Sequence, residues 1–360
     1  MPWENRRFEL FIPIIVACLM IVGLLALYSA TRDSGLYFVR KQIVWDILGI
    51  AAMFAMLLVR ERYLKIAGTV LYVASMFSLV LVLFYGTISG GARRWFDLKF
   101  GYFQPSEFAR LALLILNASL LSQPNKKNLY TSFLLTTICV GLVAIEPDLG
   151  TALLMGGIWF SMALVSQVKA KSLMRIVLVT SLMVLLLFFF GLKDYQRDRI
   201  VSFFNPGRYA QGSAYNMLQS IHTVGSGGIL GRGFLKGPAT RLKFVPKNHT
   251  DFIFSVVGEE FGFLGTSLLI ILYFLLCWRI VKAIKFAKDE FWRILCSGVL
   301  ATFSLQVFIN MGMCMGLAPV TGLPLPFVSY GGSATLFLSI HVGLVMKAIA
   351  IAKSGTELQT

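Results

Sequence analysis

The sequence predicts an all-α polytopic membrane protein of about ten transmembrane helices, with both termini cytoplasmic and one large outer loop. Three observations carry that prediction. Of the 360 residues, 57% are hydrophobic and 14% charged, where soluble domains carry roughly a quarter charged. The apolar residues fall in blocks, and a helix crossing a bilayer needs about 20 of them. Lysine and arginine are also divided unevenly between alternate connecting segments. A net charge of +16 would suggest nucleic acid in a soluble chain, but basic loops facing anionic lipid explain it here.

The blocks lie at 10–30, 43–59, 66–85, 108–121, 131–145, 150–166, 173–191, 252–278, 294–317 and 333–351. The first follows Arg6 and Arg7, as a signal sequence would. It is longer than the roughly 7–15 apolar residues of a secretory signal and is followed by many more blocks, so it reads as a retained span. Ten spans put both termini on one side. Taken as cytoplasmic, that side holds seventeen basic residues, among them Lys65, Arg279, Lys288 and Arg293, against six in the short outer loops. That is the positive-inside arrangement. The whole chain, 1–360, reads as a single integral-membrane domain.

The segment 192–251, between the seventh and eighth spans, is the large outer loop. It carries nine basic residues against Asp194, Asp198 and Asp251. Tyr195, Phe203, Tyr209, Ile221 and Phe244 argue that it is folded. A folded basic loop, with Arg197, Arg199, Arg208, Arg241 and Lys243, suits an anionic head group or diphosphate. A basic loop lying on anionic lipid is the alternative.

The five cysteines sit singly in apolar blocks without CxxC spacing, which supports neither a disulfide framework nor a zinc site. His222, His249 and His341 lack metal-ligand spacing, and the glycines from Gly225 to Gly233 fall in no nucleotide-binding register.

Ionisable groups at membrane depth are costly, so each is a candidate for function. Glu107 and Arg110, in the stretch Gln104-Pro105-Ser106-Glu107-Phe108-Ala109-Arg110, share one helix face and can neutralise one another. They read either as a site or as a buried structural pair. Glu146-Pro147-Asp148 joins two blocks with almost no loop. Its carboxylates can bind a cation or orient an acceptor sugar, or serve as a cap and a turn. In Asn248-His249-Thr250-Asp251, polar residues stop abruptly at an apolar run beside the basic loop. Asp251 is then either an N-cap or a general base tuned by its surroundings. The run from Thr321 to Ser333, rich in proline and glycine, must be non-helical. Such backbone is tolerated at membrane depth only where it lines a cavity or packs on protein. Ser329 and nearby amides there can meet an anion, or the run can be a rigid plug. Gly312 and Gly316 form GxxxG in the ninth span, a hint of close helix packing.

Four of these segments together resemble the SEDS family (shape, elongation, division and sporulation) of multispan peptidoglycan polymerases. They are QPSEFAR (104–110), EPDLGTALL (146–154), HTDFIFSVVGEEFG (249–262) and TGLPLPFVSYGGS (321–333). They stand in the family's order, and TGLPLP with GSGGILGRGFLKG (225–237) is closer to its elongation members than to its division members. Lys247 stands where the family usually has Glu, Arg110 where Lys is commoner, and Pro238-Ala239-Thr240-Arg241 replaces a stretch that usually contains Gln.

The resemblance implies glycosyl transfer on lipid II at the outer face of the bacterial cytoplasmic membrane, with undecaprenyl diphosphate leaving. Asp251 falls on the family's essential aspartate. Gln104, Ser106, Glu107, Arg110, Glu146, Asp148, His249, Thr250 and Ser329 would contact substrate together with the loop cations. A divalent cation, Mg2+ or Mn2+, is a candidate cofactor, and no organic cofactor is implied. The implied partner is a class B penicillin-binding protein, with the Gly312/Gly316 face as the helix contact. Two readings compete: a lipid II translocase, which needs a polar path through the full membrane, and a non-catalytic scaffold for the transpeptidase.

Overall fold

A computed structural model describes residues 9–89, 92–98, 101–123, 125–190, 194–212 and 214–357. Each of the ten apolar blocks falls on a helix. The first seven are α1 (Phe11–Ala30), α2 (Tyr37–Ala55), α3 (Glu61–Tyr85), α4 (Pro105–Leu121), α5 (Lys126–Ile145), α6 (Leu149–Val165) and α7 (Ala170–Phe190). The segment 192–251 is folded into α8 (Asp194–Phe204), α9 (Tyr215–Ser226) and α10 (Pro238–Arg241). The chain closes with α11 (Ile253–Lys285), α12 (Glu290–Cys314) and α13 (Gly332–Glu357). Among the described residues, six helices (α1, α3, α5, α11, α12 and α13) are each long and apolar enough to cross a membrane. The chain is a polytopic, predominantly helical membrane protein.

The all-α expectation needs one correction. Between α3 and α4 the chain forms an antiparallel sheet of β1 (Thr87–Ser89), β2 (Ala92–Asp97) and β3 (Tyr102–Phe103) in that order. Thr87 pairs with Trp95 and Phe96 with Phe103. These strands are two to six residues long, too short for the period-2 pattern of a strand to show in sequence.

Helix α4 is the hub. Fourteen of its seventeen residues are buried, Glu107, Arg110 and Asn117 among them, so it is enclosed on every side. Leu114, Ile115 and Ala118 enter a core shared with α1, α11, α12 and α13. Ala109, Ala112 and Leu113 enter a second core, with Tyr72 and Leu79 of α3, Val143 of α5 and Met155 of α6.

Helix α11 breaks at Gly262, whose φ is 63°. A Cβ there would lie 2.3 Å from the amide nitrogen of Gly231. The glycine-rich turn 227–233 supplies the hydrogen bonds the helix loses. The amides of Arg232 and Gly233 donate to Glu259 O (2.9 Å) and Glu260 O (3.0 Å), while those of Phe263 and Leu264 donate to Gly228 O (2.9 Å) and Ile229 O (3.2 Å). The eighth apolar block is therefore two pieces. At 1.5 Å per residue, 253–261 is only about 13 Å long, whereas 263–285 reaches about 34 Å and can cross a bilayer.

Contacts sort the helix ends. Ser29, near the end of α1, donates to Glu260 on the short piece of α11. At the opposite end Glu9 meets Arg279 (2.5 Å) and Lys353 (4.0 Å), while Lys347 donates to Leu57 O (2.6 Å). The start of α1, the end of α11 and the end of α13 thus lie together, away from Asp251.

Gly262→Ala should lower thermal stability by about 1–3 kcal/mol or more, since it combines a left-handed φ with a backbone collision. Gly141→Ala, in open space on α5, should be neutral or stabilising by up to ~1 kcal/mol. Thermal unfolding in detergent, followed by tryptophan fluorescence, compares the two.

Candidate functional site

Asp251 lies on a turn in which the amides of Thr250 and Phe252 both donate to Lys247 O. The first helical residue is Ile253, and the cap position is taken by Phe252, which makes no side-chain cap. The N-cap role that the sequence leaves open for Asp251 is therefore not the one it holds.

Three successive carbonyls fix this turn. His249 O accepts from the Tyr330 amide (3.0 Å). Thr250 O accepts from the Ser329 hydroxyl (2.5 Å), and Asp251 O from Asn310 Nδ2 (2.9 Å). The same α12 side chains hold the proline-rich run: Asn310 donates to Leu323 O (2.7 Å) and Gln306 to Pro324 O (2.8 Å). Tyr273 of α11 donates to Pro326 O (2.5 Å). This non-helical backbone is satisfied by side chains, as low dielectric requires. At Gly322, with φ of 78°, a Cβ would lie 3.5 Å from Asp251 Oδ2. The proline-rich run therefore passes directly against the half-buried carboxylate.

The second acidic segment comes in through the same run. A Cβ on Gly150 would lie 3.0 Å from both Cβ and O of Thr321, so the start of α6 packs beside Gly322. Asp148 caps α6 by accepting from the Thr151 amide (3.2 Å). It also receives Gln104 Nε2 (3.4 Å) and stands 4.0 Å from Arg94. Arg94, on β2, donates further to Glu146 O (3.0 Å) and to Pro147 O. Glu146 is 1% exposed, and neither carboxylate oxygen has a hydrogen-bond partner. Sequence reasoning counted Arg94 only as a loop charge and missed its role here.

Other expected substrate contacts turn inward. Glu107 and Arg110 form an ion pair, 2% and 1% exposed, and Arg110 also donates to Gln306 (3.0 Å). The pair ties α4 to α12 and is not presented to a ligand. Ser106 is wholly buried. Ser329 both donates to Thr250 O and accepts from the Leu325 amide (2.8 Å), so it is a staple and not an anion contact.

The GxxxG expectation is also corrected. Gly316 lies beyond the last helical residue, Cys314. A Cβ on it would lie 2.6 Å from Ile221 of α9, and one on Gly312 would lie 3.2 Å from Ala318. Both glycines pack against residues of their own chain.

Of the loop cations, Arg208, Arg241 and Lys243 are exposed and Arg197 half-buried. Arg199 falls on α8, and its side chain lies outside the described residues, as do Arg6, Arg7 and Lys99 of the charge count. Thr250 Oγ1 donates to Lys247 O (3.3 Å). His249 lies against Phe38 and Tyr330, with ring centroids 5.4 and 6.3 Å away. Burial, then Lys247 and Lys243, hold it below the usual histidine range.

The model of the FtsW/RodA/SpoVE family, described as a cell cycle protein, matches residues 8–354. The chain belongs to that family. It is 34% identical over 349 residues to the peptidoglycan glycosyltransferase MrdB of Escherichia coli, covering 96% of this chain and 94% of that one. Its fold matches the Thermus thermophilus rod shape determining protein RodA with a TM-score of 0.71 and 30% identity, over 96% and 97% of the two chains. A further match has a TM-score of 0.84 and 31% identity over 97% and 99%. That chain was solved in work on the structural coordination of polymerization and crosslinking by a peptidoglycan synthase complex.

Because the folded-state pKa of His249 is lowered, no stability is lost above its ordinary value of 6.5. As pH falls below that value the unfolded chain takes up the proton first, and folding weakens. The melting temperature should fall between pH 7.5 and 5.5, and His249→Gln should flatten that slope.

Proposed function

We propose that the chain is a peptidoglycan glycosyltransferase that polymerises lipid II in cell elongation, with Asp251 as the general base. The reading rests on one observation. A carboxylate on a turn fixed through three consecutive carbonyls abuts the proline-rich run, which also contacts the start of α6, in a chain of this family. Fixed geometry of this kind is what proton abstraction demands.

In the proposed step Asp251 removes the proton from the acceptor 4-hydroxyl. The resulting oxygen attacks the donor anomeric carbon as the bond to undecaprenyl diphosphate breaks, so the configuration inverts and the electron pair leaves on the diphosphate. Arg197, Arg199 and Arg208 offset charge on the leaving group, whereas Arg241 and Lys243 line a separate cavity beside Glu260. Asp148 and Glu146 bound the acceptor side, and Gln104 and Arg94 orient Asp148. Glu107 and Arg110 act as positioning residues, through Gln306 and the carbonyl it holds.

Among the described residues, no three acidic, histidine or cysteine groups stand together as a metal cage. Mg2+ is commonly held by one or two carboxylates together with substrate phosphates, so a divalent cation shared with the diphosphate would need no such cage.

The reading extends to the surroundings. The ten apolar helices cross the bacterial cytoplasmic membrane as one integral domain, with both termini cytoplasmic and Asp251 outside. The lysines and arginines at the end opposite Asp251, among them Lys65, Arg279, Arg293 and Lys347, support that orientation. The partner is a class B penicillin-binding transpeptidase.

Asp251→Asn in purified protein supplied with labelled lipid II should cut polymer yield at least a hundredfold, the scale of lost general-base catalysis, with melting temperature retained. Full polymer yield from the folded variant would sink the proposal. Asn310→Ala should instead lower both stability, by about 1–3 kcal/mol for the buried carbonyls left without a donor, and yield.

A further inference from the structure

Glu259 and Glu260 are consecutive buried carboxylates whose environments differ sharply. Glu259 is fully occupied: its oxygens accept from the amides of Ala239 (2.7 Å) and Thr240 (2.9 Å) and from the Thr240 hydroxyl (2.6 Å). It holds α10 in place. Glu260 is 1% exposed and accepts from Ser29 through Oε1, while Oε2 has no hydrogen-bond partner.

Glu260 lines a cavity of about 140 Å³ between the end of α1, the turn at Arg32 and Asp33, and the loop around α10. An apolar cavity of similar size, roughly 150 Å³, accepts benzene, so the space suits a group the size of one amino acid. Arg32 and Arg241 also line it, and both are exposed. Lys243 lines it too and is paired with Asp33 at 3.0 Å. One buried carboxylate oxygen therefore lacks a donor, while two guanidinium groups stand at the rim.

A phosphodiester or other anion without an O–H would suit the arginines but would bring Glu260 no donor. A metal ion would suit Glu260 but would face the arginines. A ligand carrying an ammonium and a carboxylate satisfies both ends, because charged groups are stable away from water only when paired.

We propose that this cavity binds the free amino and carboxylate end of a peptide, with the ammonium on Glu260 and the carboxylate on Arg32 and Arg241. The occupant is the peptide carried by lipid II, an assignment that rests on the function proposed above. The cavity then reads the peptide, at a distance from the sugars handled at Asp251. Glu260 lies on the short piece of α11, 253–261, and Asp251 on the turn that leads into it.

The test uses full-length protein in phosphatidylcholine nanodiscs, a neutral lipid that does not itself attract basic peptides. The probe is acetyl-Ala-Lys, with a free ε-ammonium and carboxylate, compared with its Nε-acetylated form by saturation-transfer NMR and equilibrium dialysis. The native chain should bind the free form at least tenfold more tightly than the acetylated one. Glu260→Gln and Arg32→Ala should each weaken binding of the free form several-fold or more, and Asp251→Asn should leave it unchanged. Arg32 is exposed, so its variant keeps the test valid if Glu260→Gln fails to fold. Equal binding of the two peptides, or no binding by the folded native chain, would overturn the proposal. Peptide binding without polymerisation by the native chain would instead count against the glycosyltransferase reading, and polymerisation without peptide binding would count against the cavity alone.

Discussion

Everything around Asp251 depends on how α12 satisfies backbone that is not helical. Carbonyls within an apolar bundle that lack partners cost several kcal/mol each in hydrocarbon. Gln306 and Asn310, one helical turn apart, donate to Pro324 O, Leu323 O and Asp251 O. Arg110 in turn holds Gln306, and Glu107 neutralises Arg110. An ion pair inside the bundle thus holds Gln306, and Gln306 and Asn310 together fix a run of proline and glycine that local conformational preference would leave undefined. Removing either charge would strand the other, which is the expensive outcome for a buried pair.

The carboxylates of the chain divide by what surrounds them. Glu107 is matched by Arg110, and Glu259 by the amides at the start of α10. Asp148 caps α6 and faces Arg94. These acids hold elements together. Glu146 and Glu260 are buried with oxygens that have no partner, and such atoms are the ones with capacity left for a ligand. The distinction comes from partners and not from burial, since all five are nearly inaccessible.

The apolar blocks were legible in sequence because length and composition suffice to detect a spanning helix. Asp251 was legible as a polar residue at the mouth of an apolar run, although its rival role as a cap required coordinates to dismiss. Gln306 and Asn310 were less legible, because neutral amides in an apolar run carry no charge signal although they too demand partners when buried. Arg94 was hidden because its partners are backbone carbonyls some fifty residues away, a contact that no local spacing encodes. The break at Gly262 was obscured by hydropathy, which continues unbroken through the glycine.

That break sets a length. Asp251 and Glu260 stand nine positions apart, and each residue of an α-helix turns the chain by about 100°. Inserting one residue between Phe252 and Glu259 would rotate Glu260 away from Ser29, or else swing Asp251 off the proline-rich run. Substitutions along this piece can be absorbed by repacking, but a change in its residue count cannot. Among all the helices of the bundle, this short one is a ruler.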